Sequence, residues 1–377
     1  MNRFSIVLLL ALVPTSFIHA EEDEWLDQWV LPRSKNTPVL DRDDKVLMKW
    51  SATAAKITWV GKDWLLIRHS QYPGPYEGYV KKSEVVKLAD APKFFTDKIE
   101  ANEKDTWALS RRGEAWSLND EHDKAIKDLT EVIRLDPASV SYNIRGVALS
   151  AKDDYDTAIE DYTEAIRLDP KYALAFNNRG RARYALDEFD TAIEDFTEAI
   201  RLDPKYTEAF FVRGSAWNSK KEYDKAIKDY TEAIRLDPKD ADVFYYRGDA
   251  WNSKREYDKA IEDYSEVMRL DPKKADGFNA LAWLLATCPR AKYRDGKRAI
   301  ELATKACELT EWKDVADIDT LAAAYAETGD FDRAIMYEKK AIEGLTENDE
   351  EEYGDEFRTR LKLFEQKKPY HEALMID

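Results

Sequence analysis

The sequence predicts a mainly α-helical repeat array, an α-solenoid, preceded by a small β domain. Three observations support this prediction. Proline and glycine recur every 33 or 34 residues in the middle of the chain, and the apolar residues between them follow a helical period. By contrast, residues 38–90 contain short alternating strands separated by turn residues. The chain of 377 residues has room for two or three domains, and this arrangement uses nearly all of it.

The first 20 residues have the pattern of a secretory signal peptide. A basic start precedes an apolar run at 4–13, and Ala20 is followed by an acidic stretch. The run is too short to span a membrane, which needs about 20 residues. We therefore expect export to the periplasm or secretion, with no transmembrane segment after cleavage. An uncleaved signal anchor is the alternative. Residues 21–37 are interpreted as a polar lead or linker.

Residues 38–90 predict a small β domain with a hairpin at 57–67. The strings DWLLI (63–67) and EGYVKKSEVV (77–86) resemble signatures of bacterial SH3-like domains, and this resemblance implies a small β-barrel. Its aromatic residues form either the core or a cleft for cell-wall peptide. They are Trp59, Trp64, Tyr72, Tyr76 and Tyr79.

Five repeats cover residues 106–274. In the repeat at 207–240, Phe210, Gly214 and Trp217 share one face of a first helix, and a second apolar face follows. Pro238 cannot continue the second helix and ends it. One helix pair cannot bury both of its apolar faces, so neighbouring pairs must stack. The glycines keep the same register in all five repeats: Gly113, Gly146, Gly180, Gly214 and Gly248.

This period, with aromatic–x3–Gly–x2–aromatic, a later Ala–x3–aromatic–x2–Ala and a terminal Pro, resembles the tetratricopeptide repeat (TPR). The resemblance implies a right-handed superhelix whose concave face, lined by first helices, holds a peptide or a partner helix. The order of segments is similar to that of exported bacterial TPR proteins with an N-terminal SH3-like domain. Flanking the five repeats we predict a half repeat at 91–105, two degenerate repeats at 275–346, and an acidic linker with a C-terminal capping helix at 347–377.

Variable first-helix positions are the predicted partner site, because they carry Asn, aromatic and charged residues while the packing positions stay constant. Asn supplies donors and acceptors to an extended backbone, and Tyr supplies contact area at low entropy cost. A merely solvated face is the alternative. The TPR subclass that clamps a C-terminal carboxylate needs a Lys and Asn set that is missing here. The predicted residues are Asn143, Asn177, Asn178, Arg181, Tyr184, Phe211, Asn218, Tyr245, Tyr246 and Asn252.

Two further sets of residues have competing interpretations. One Arg and one Asp recur in each repeat, and we interpret them as paired structural residues rather than as an anion-binding ladder. Cys288 and Cys307 are the only thiols, and helical spacing separates them by about 15 Å, beyond the reach of a disulfide. We therefore predict two buried free thiols.

Composition excludes several functions. The net charge of −17 argues against a general nucleic-acid binder, and the four histidines lack a zinc-binding spacing. No glycine-rich phosphate loop or catalytic motif is present, so we expect no metal, no cofactor and no enzymatic activity. The predicted function is a non-catalytic protein–protein interaction scaffold outside the cytoplasm. The alternative is a cell-envelope adaptor whose SH3-like domain binds peptidoglycan; an enzyme is a remote alternative.

Overall fold

The structure is a computed structural model that describes residues 29–33, 37–40, 46–50, 55–60, 64–69 and 76–372. The predicted signal peptide at 1–20 lies outside these residues. The chain divides into two compact units, one ending at Tyr206 and the other beginning at Thr207. The described residues form seven strands followed by sixteen α-helices.

The strands form one antiparallel sheet in the first unit, in the order β3-β2-β6-β5-β4-β1-β7. They are β1 (Trp29–Pro32), β2 (Thr37–Leu40), β3 (Val46–Trp50), β4 (Ala55–Val60), β5 (Trp64–His69), β6 (Tyr76–Lys81) and β7 (Val85–Lys87). The predicted hairpin is confirmed, since Ile57 of β4 lies opposite Ile67 of β5. Both side chains are buried in the sheet's apolar cluster. Closure into an SH3-like barrel stays a prediction.

Strand β1 lies within residues 21–37, which the sequence indicated as a lead or linker. Its backbone pairs with both β4 and β7, so the sheet begins before residue 38. Val30 is buried in the sheet cluster, whereas Leu31 is buried in a second cluster that includes Phe95 of the first helix. Because both faces of β1 are covered, its residues do not alternate between apolar and polar, and the usual strand pattern is absent.

The first unit also contains seven helices. They are α1 (Ala91–Ala101), α2 (Thr106–Leu118), α3 (His122–Leu135), α4 (Ser139–Ser150), α5 (Tyr155–Leu168), α6 (Ala173–Ala185) and α7 (Phe189–Leu202). Helix α1 lies within residues 91–105, predicted to be a half repeat, and its Phe95 ring meets Trp107 of α2 edge to face at 5.5 Å. The remaining helices stack as consecutive hairpins, α2 with α3, α4 with α5, and α6 with α7.

The second unit contains nine described helices. They are α8 (Thr207–Ser219), α9 (Tyr223–Leu236), α10 (Ala241–Ser253), α11 (Tyr257–Leu270), α12 (Ala275–Thr287), α13 (Gly296–Leu309), α14 (Val315–Glu327), α15 (Phe331–Glu343) and α16 (Glu347–Glu365). Helices α8 to α15 pair as four hairpins. The acidic run from residue 347, predicted to be a linker, is instead the beginning of α16. Carboxylates are favourable in the first turns of a helix because of its dipole, so the run is compatible with a helix start.

The periodic glycine is explained by the packing within each hairpin. A Cβ atom at Gly180 of α6 would lie 2.6 Å from the Phe196 ring of α7, and one at Gly214 of α8 would lie 2.7 Å from the Tyr230 ring of α9. In four of the five repeats the missing side chain therefore makes room for an aromatic ring of the second helix, and in the first repeat Gly113 makes room for Leu129. Among the described residues, no helix is long and apolar enough to cross a membrane.

Candidate functional site

The recurring Arg and Asp residues form buried ion pairs inside each of the five repeats. Each guanidinium donates two hydrogen bonds of 2.7 to 3.0 Å to the carboxylate. The pairs are Arg112–Asp128, Arg145–Asp161, Arg179–Asp195, Arg213–Asp229 and Arg247–Asp263. The structural interpretation is confirmed, because both partners face each other between the two helices.

These arginines also join neighbouring repeats. A third guanidinium nitrogen of Arg145 donates to Thr130 Oγ1 on α3 at 3.0 Å, and Arg247 does the same to Thr231 on α9 at 3.2 Å. A planar guanidinium can satisfy a carboxylate and a further acceptor at once. The arginine column is therefore part of the repeat packing and is not available as an anion site.

The predicted asparagines on the first helices of the first unit are buried or half-buried rather than exposed. Asn143 of α4 is 3% exposed and Asn177 of α6 is fully buried, whereas Asn178 is half-buried. The amide of Asn178 donates to Asn143 Oδ1 at 3.0 Å and so joins two first helices. Among the described residues, neither side-chain atom of Asn177 has a hydrogen-bond partner. An unpaired buried amide is unusual and costs free energy unless another group satisfies it.

Two other predicted residues share the face of Asn177 on α6. Arg181 and Tyr184 follow it at helical positions i+4 and i+7, which places all three on one side of the helix. Arg181 is exposed, and Tyr184 is half-buried with its ring 5.4 Å from that of Phe189. The structure thus brings together an amide, a guanidinium and a phenol on one first helix.

In the second unit, four aromatic side chains form one connected group, which we call the aromatic surface: Phe211, Tyr230, Tyr245 and Tyr246. The Phe211 and Tyr246 rings are 5.2 Å apart, and those of Tyr245 and Tyr246 are 5.4 Å apart. Tyr230, on the second helix α9, lies 6.0 Å from Phe211. Tyr246 is 40% exposed, so the group reaches solvent. Three of its four members were predicted from the sequence, while Tyr230 was assigned to packing only.

A half-buried carboxyl group lies next to the aromatic surface. Asp249 of α10 accepts a 2.6 Å hydrogen bond from the Tyr264 hydroxyl, and its burial raises its pKa to about 6. Arg181, Ser215 and Asp249 are spaced by 34 residues, so they occupy equivalent positions on successive first helices. Asp249 was not among the residues predicted from the sequence, although this register is a signal that identifies it.

The predicted Asn218 and Asn252 occupy equivalent positions on α8 and α10, and both are half-buried. Asn218 Oδ1 is buried without a hydrogen-bond partner among the described residues, and the same holds for Asn279 Oδ1 on α12. Asn279 was missed because its repeat is degenerate, yet it follows Tyr245 by 34 residues. Unpaired amide oxygens therefore recur on the first helices of this unit.

Both thiols are buried and neither is in a disulfide, which confirms the prediction. Cys288 directly follows α12, while Cys307 lies near the end of α13, where burial raises the pKa of its thiol to about 12. In the part of the chain that the structure describes, no group of three or more His, Cys, Asp or Glu side chains could hold a metal ion.

The predicted aromatic cleft of the β domain remains a prediction. Tyr79 is half-buried on β6. The side chains of Trp59, Trp64 and Tyr76 lie outside the described part of the structure, as does Tyr72 as a whole.

Solved structures with similar folds are helical repeat proteins. Yeast Tom70 is 19% identical over 74% of this chain and 59% of its own length, with a TM-score of 0.51. The C-terminal part of a TPR repeat-containing protein from Cytophaga hutchinsonii is 21% identical over 62% of this chain and 94% of its own, with a TM-score of 0.50. These similarities establish the fold alone. No curated protein sequence gives a significant match.

Sequence models of the tetratricopeptide repeat match residues 146–187, 177–241 and 220–275. These segments include α5 to α11, whose paired helices, periodic glycines and Arg–Asp pairs were described above. Residues 146–275 of the chain therefore match the tetratricopeptide-repeat family.

Proposed function

We propose that this protein is a non-catalytic interaction scaffold that binds an extended peptide segment of a partner on its first helices. The observation that carries the proposal is the recurrence of half-buried asparagine amides on the first helices of the second unit, Asn218 on α8 and Asn252 on α10. Each amide has a donor and an acceptor, and the N–H and C=O groups of an extended peptide backbone are complementary to both.

The aromatic surface supplies the second part of a peptide site. Tyr246 presents a large ring to solvent, and its contacts with Phe211 and Tyr245 hold it in place before a partner arrives. Rigid aromatic residues contribute much contact area for little loss of entropy, and they are enriched among residues that dominate binding energy. The aromatic surface is therefore the proposed anchor.

Charge favours a partner segment with basic side chains. Lys274 forms ion pairs with Asp242 and, at 3.7 Å, with Asp276, and the Asp276 carboxylate helps to raise the pKa of the half-buried Asp249. A basic side chain gains from these carboxylates and from the faces of the tyrosine rings. The overall net charge of −17 acts in the same direction.

Tetratricopeptide repeats are in general interaction scaffolds without catalysis. Both family models that match this chain describe tetratricopeptide repeats. Action outside the cytoplasm is part of the proposal, supported by the signal-peptide pattern of residues 1–20. An adaptor that holds peptidoglycan through the β domain is the alternative, and its support is the SH3-like sequence resemblance.

The test is peptide binding measured by fluorescence anisotropy with the chain that begins at residue 21. The probes are a panel of extended peptides that contain lysine or arginine, with matched peptides that contain glutamate instead. We expect the basic peptides to bind, and Tyr246→Ala to weaken their binding at least tenfold through loss of the anchor ring.

Met336→Ala is the matched control, because Met336 is also an exposed apolar residue but lies on the second helix α15. It should leave binding unchanged. If Tyr246→Ala binds the basic peptides as well as the unchanged chain, or if both substitutions weaken binding equally, the site is elsewhere.

A further inference from the structure

The C-terminal segment of the chain folds back over its own first helices. After α16 ends, Lys367 adopts a left-handed backbone with φ of 57°, and the amide of Lys368 donates to the Leu363 carbonyl at 2.9 Å. This turn reverses the direction of the chain. Residues 369–372, which we call the tail, then run towards α14 and α12.

The tail makes specific contacts with α12. The Trp283 indole N–H donates a 2.8 Å hydrogen bond to Glu372 Oε1, and the Glu372 backbone amide donates to the Thr287 carbonyl at 2.9 Å. The Tyr370 ring lies 5.9 Å from the Trp283 ring. A backbone bond, a side-chain bond and an aromatic contact together form the kind of recognition that an extended peptide receives from a receptor.

The tail also contacts α14 and α16. His371 Nε2 lies 2.6 Å from Glu327 Oε2 at the end of α14. The guanidinium of Arg360 on α16 is positioned by a 2.7 Å hydrogen bond to Asp319, and it lies 5.4 Å from the Tyr370 ring and 5.3 Å from the Trp283 ring. The arginine thus supports both rings of the aromatic contact.

The tail occupies the face that the proposed function assigns to partners. Trp283 follows Asp249 by 34 residues, and it stands at the register position that Arg181 occupies in the first unit. Thr287 lies one turn further along the same helix. The chain's own segment and a partner peptide therefore require the same kind of surface.

The tail is less buried than the helix it follows. Pro369, Tyr370, His371 and Glu372 are all only half-buried, whereas the fully buried side chain nearby is Phe364, which belongs to α16 itself. The tail's hydrogen bonds are directional, and the Tyr370 ring packs with Trp283 on the edge of the apolar cluster that contains Phe364. A segment held in this way has the character of a bound ligand rather than of a structural element.

We propose that the first-helix face formed by Trp283, Thr287 and Glu327 is a peptide-binding site whose resting occupant is the tail of the same chain. The site selects an aromatic ring followed two residues later by a carboxylate, the spacing of Tyr370 and Glu372. A partner that binds there displaces the tail. This inference rests on the proposed function of the first helices.

The experiment uses the chain truncated after Lys368 and a fluorescein-labelled peptide of residues 367–377. Truncation empties the site, so we expect the truncated chain to bind the peptide and the full chain to bind it at least tenfold more weakly, because its own tail competes at high effective concentration. Trp283→Ala in the truncated chain should lose at least tenfold in affinity. Met336→Ala and a peptide of scrambled sequence are the controls.

A second variant preserves the test if truncation impairs folding, as judged by circular dichroism. The full chain with Tyr370→Ala and Glu372→Ala keeps its length, and it should bind the labelled peptide as the truncated chain does. Equal binding by the full chain and the tail variants would overturn the proposal, as would no binding by folded tail variants. If Tyr246→Ala still weakens the binding of basic peptides in that case, the proposed function holds although the tail site does not.

Discussion

Arg145 holds the carboxylate of Asp161 with two hydrogen bonds of 2.8 and 2.7 Å, across the interface between α4 and α5. The Asp161 side chain is almost fully buried, and Arg145 is its ionic partner. Since the same guanidinium reaches Thr130 on α3, one side chain joins three helices.

Arg145→Ala should destabilise the protein strongly. The substitution leaves a buried carboxylate without its charge partner, a change that costs about 3 kcal/mol in other proteins. Urea denaturation followed by circular dichroism measures the loss as a lower transition midpoint.

The matched control is Arg167→Ala, which removes an exposed ion pair with Glu164 on α5. Exposed pairs contribute little to stability, so the transition should stay nearly unchanged. Equal midpoints for the two variants would contradict a structural role for the buried pair.

Gly180→Ala should lower stability by overpacking. The added Cβ would lie 2.6 Å from the Phe196 ring, and overpacking of this kind costs about 1–3 kcal/mol. The gain in helix propensity, about 1 kcal/mol, offsets only part of this cost. Thermal unfolding followed by circular dichroism should show a lower midpoint.

Gly329→Ala should lower stability through backbone strain rather than through overpacking. Gly329 has φ of 80° and no neighbouring atom within 4 Å of an added Cβ, so only backbone strain opposes the alanine. We expect a loss of about 1 kcal/mol, largely recovered by Gly329→Asn because asparagine tolerates the left-handed region. Gly180→Asn should recover nothing, and recovery there would argue against overpacking.

Glu338→Gln should remove part of the pH dependence of stability. Glu338 is fully buried beside Asp319 and Arg360, and this burial, together with the nearby Asp319 carboxylate, raises the pKa of Glu338 well above its usual range. The folded protein therefore keeps this proton at pH values where the unfolded chain has lost it. Stability from this group is complete below about pH 4.3 and declines as the pH rises, by about 1.4 kcal/mol per unit.

Urea midpoints at pH 6.5 and 8.5 measure this effect, since Asp249 and Asp317, whose pKa values burial raises to about 6, have largely titrated below that window. Glutamine needs no proton, so the variant should lose less stability between the two pH values than the unchanged chain does. Glu343→Gln, at an exposed position of the same helix, is the control. Parallel pH dependence of the Glu338→Gln variant and the unchanged chain would show that Glu338 is ionised in the folded state.

The two thiols should react only after unfolding. Both are buried, and the raised pKa of Cys307, about 12, leaves almost no thiolate at neutral pH. Titration with a thiol reagent should find two reactive thiols per chain in denaturant without reductant, and slow reaction in the folded protein. A denatured, unreduced chain with no reactive thiol would mean that a disulfide forms.

The candidate site was only partly predictable. First-helix register identified Asn177, Tyr245 and Tyr246, because equivalent positions of a repeat recur at a constant spacing. Their exposure was not predictable: Asn177 is fully buried while Tyr246 is 40% exposed, since exposure depends on the neighbouring helices. Asn279 was missed because its repeat has lost the surrounding consensus.

The sequence by itself determined the paired helices, the helix ends near each proline, the periodic glycine that lets two helices approach closely, and the Arg–Asp pairs. All of these follow from a local pattern of residues that recurs in each repeat. Only the tertiary structure revealed that β1 joins the sheet and that Glu372 meets Trp283 across 89 residues. Such contacts join segments that share no period, so their free energy depends on how the whole chain packs and leaves no repeating signature in the sequence.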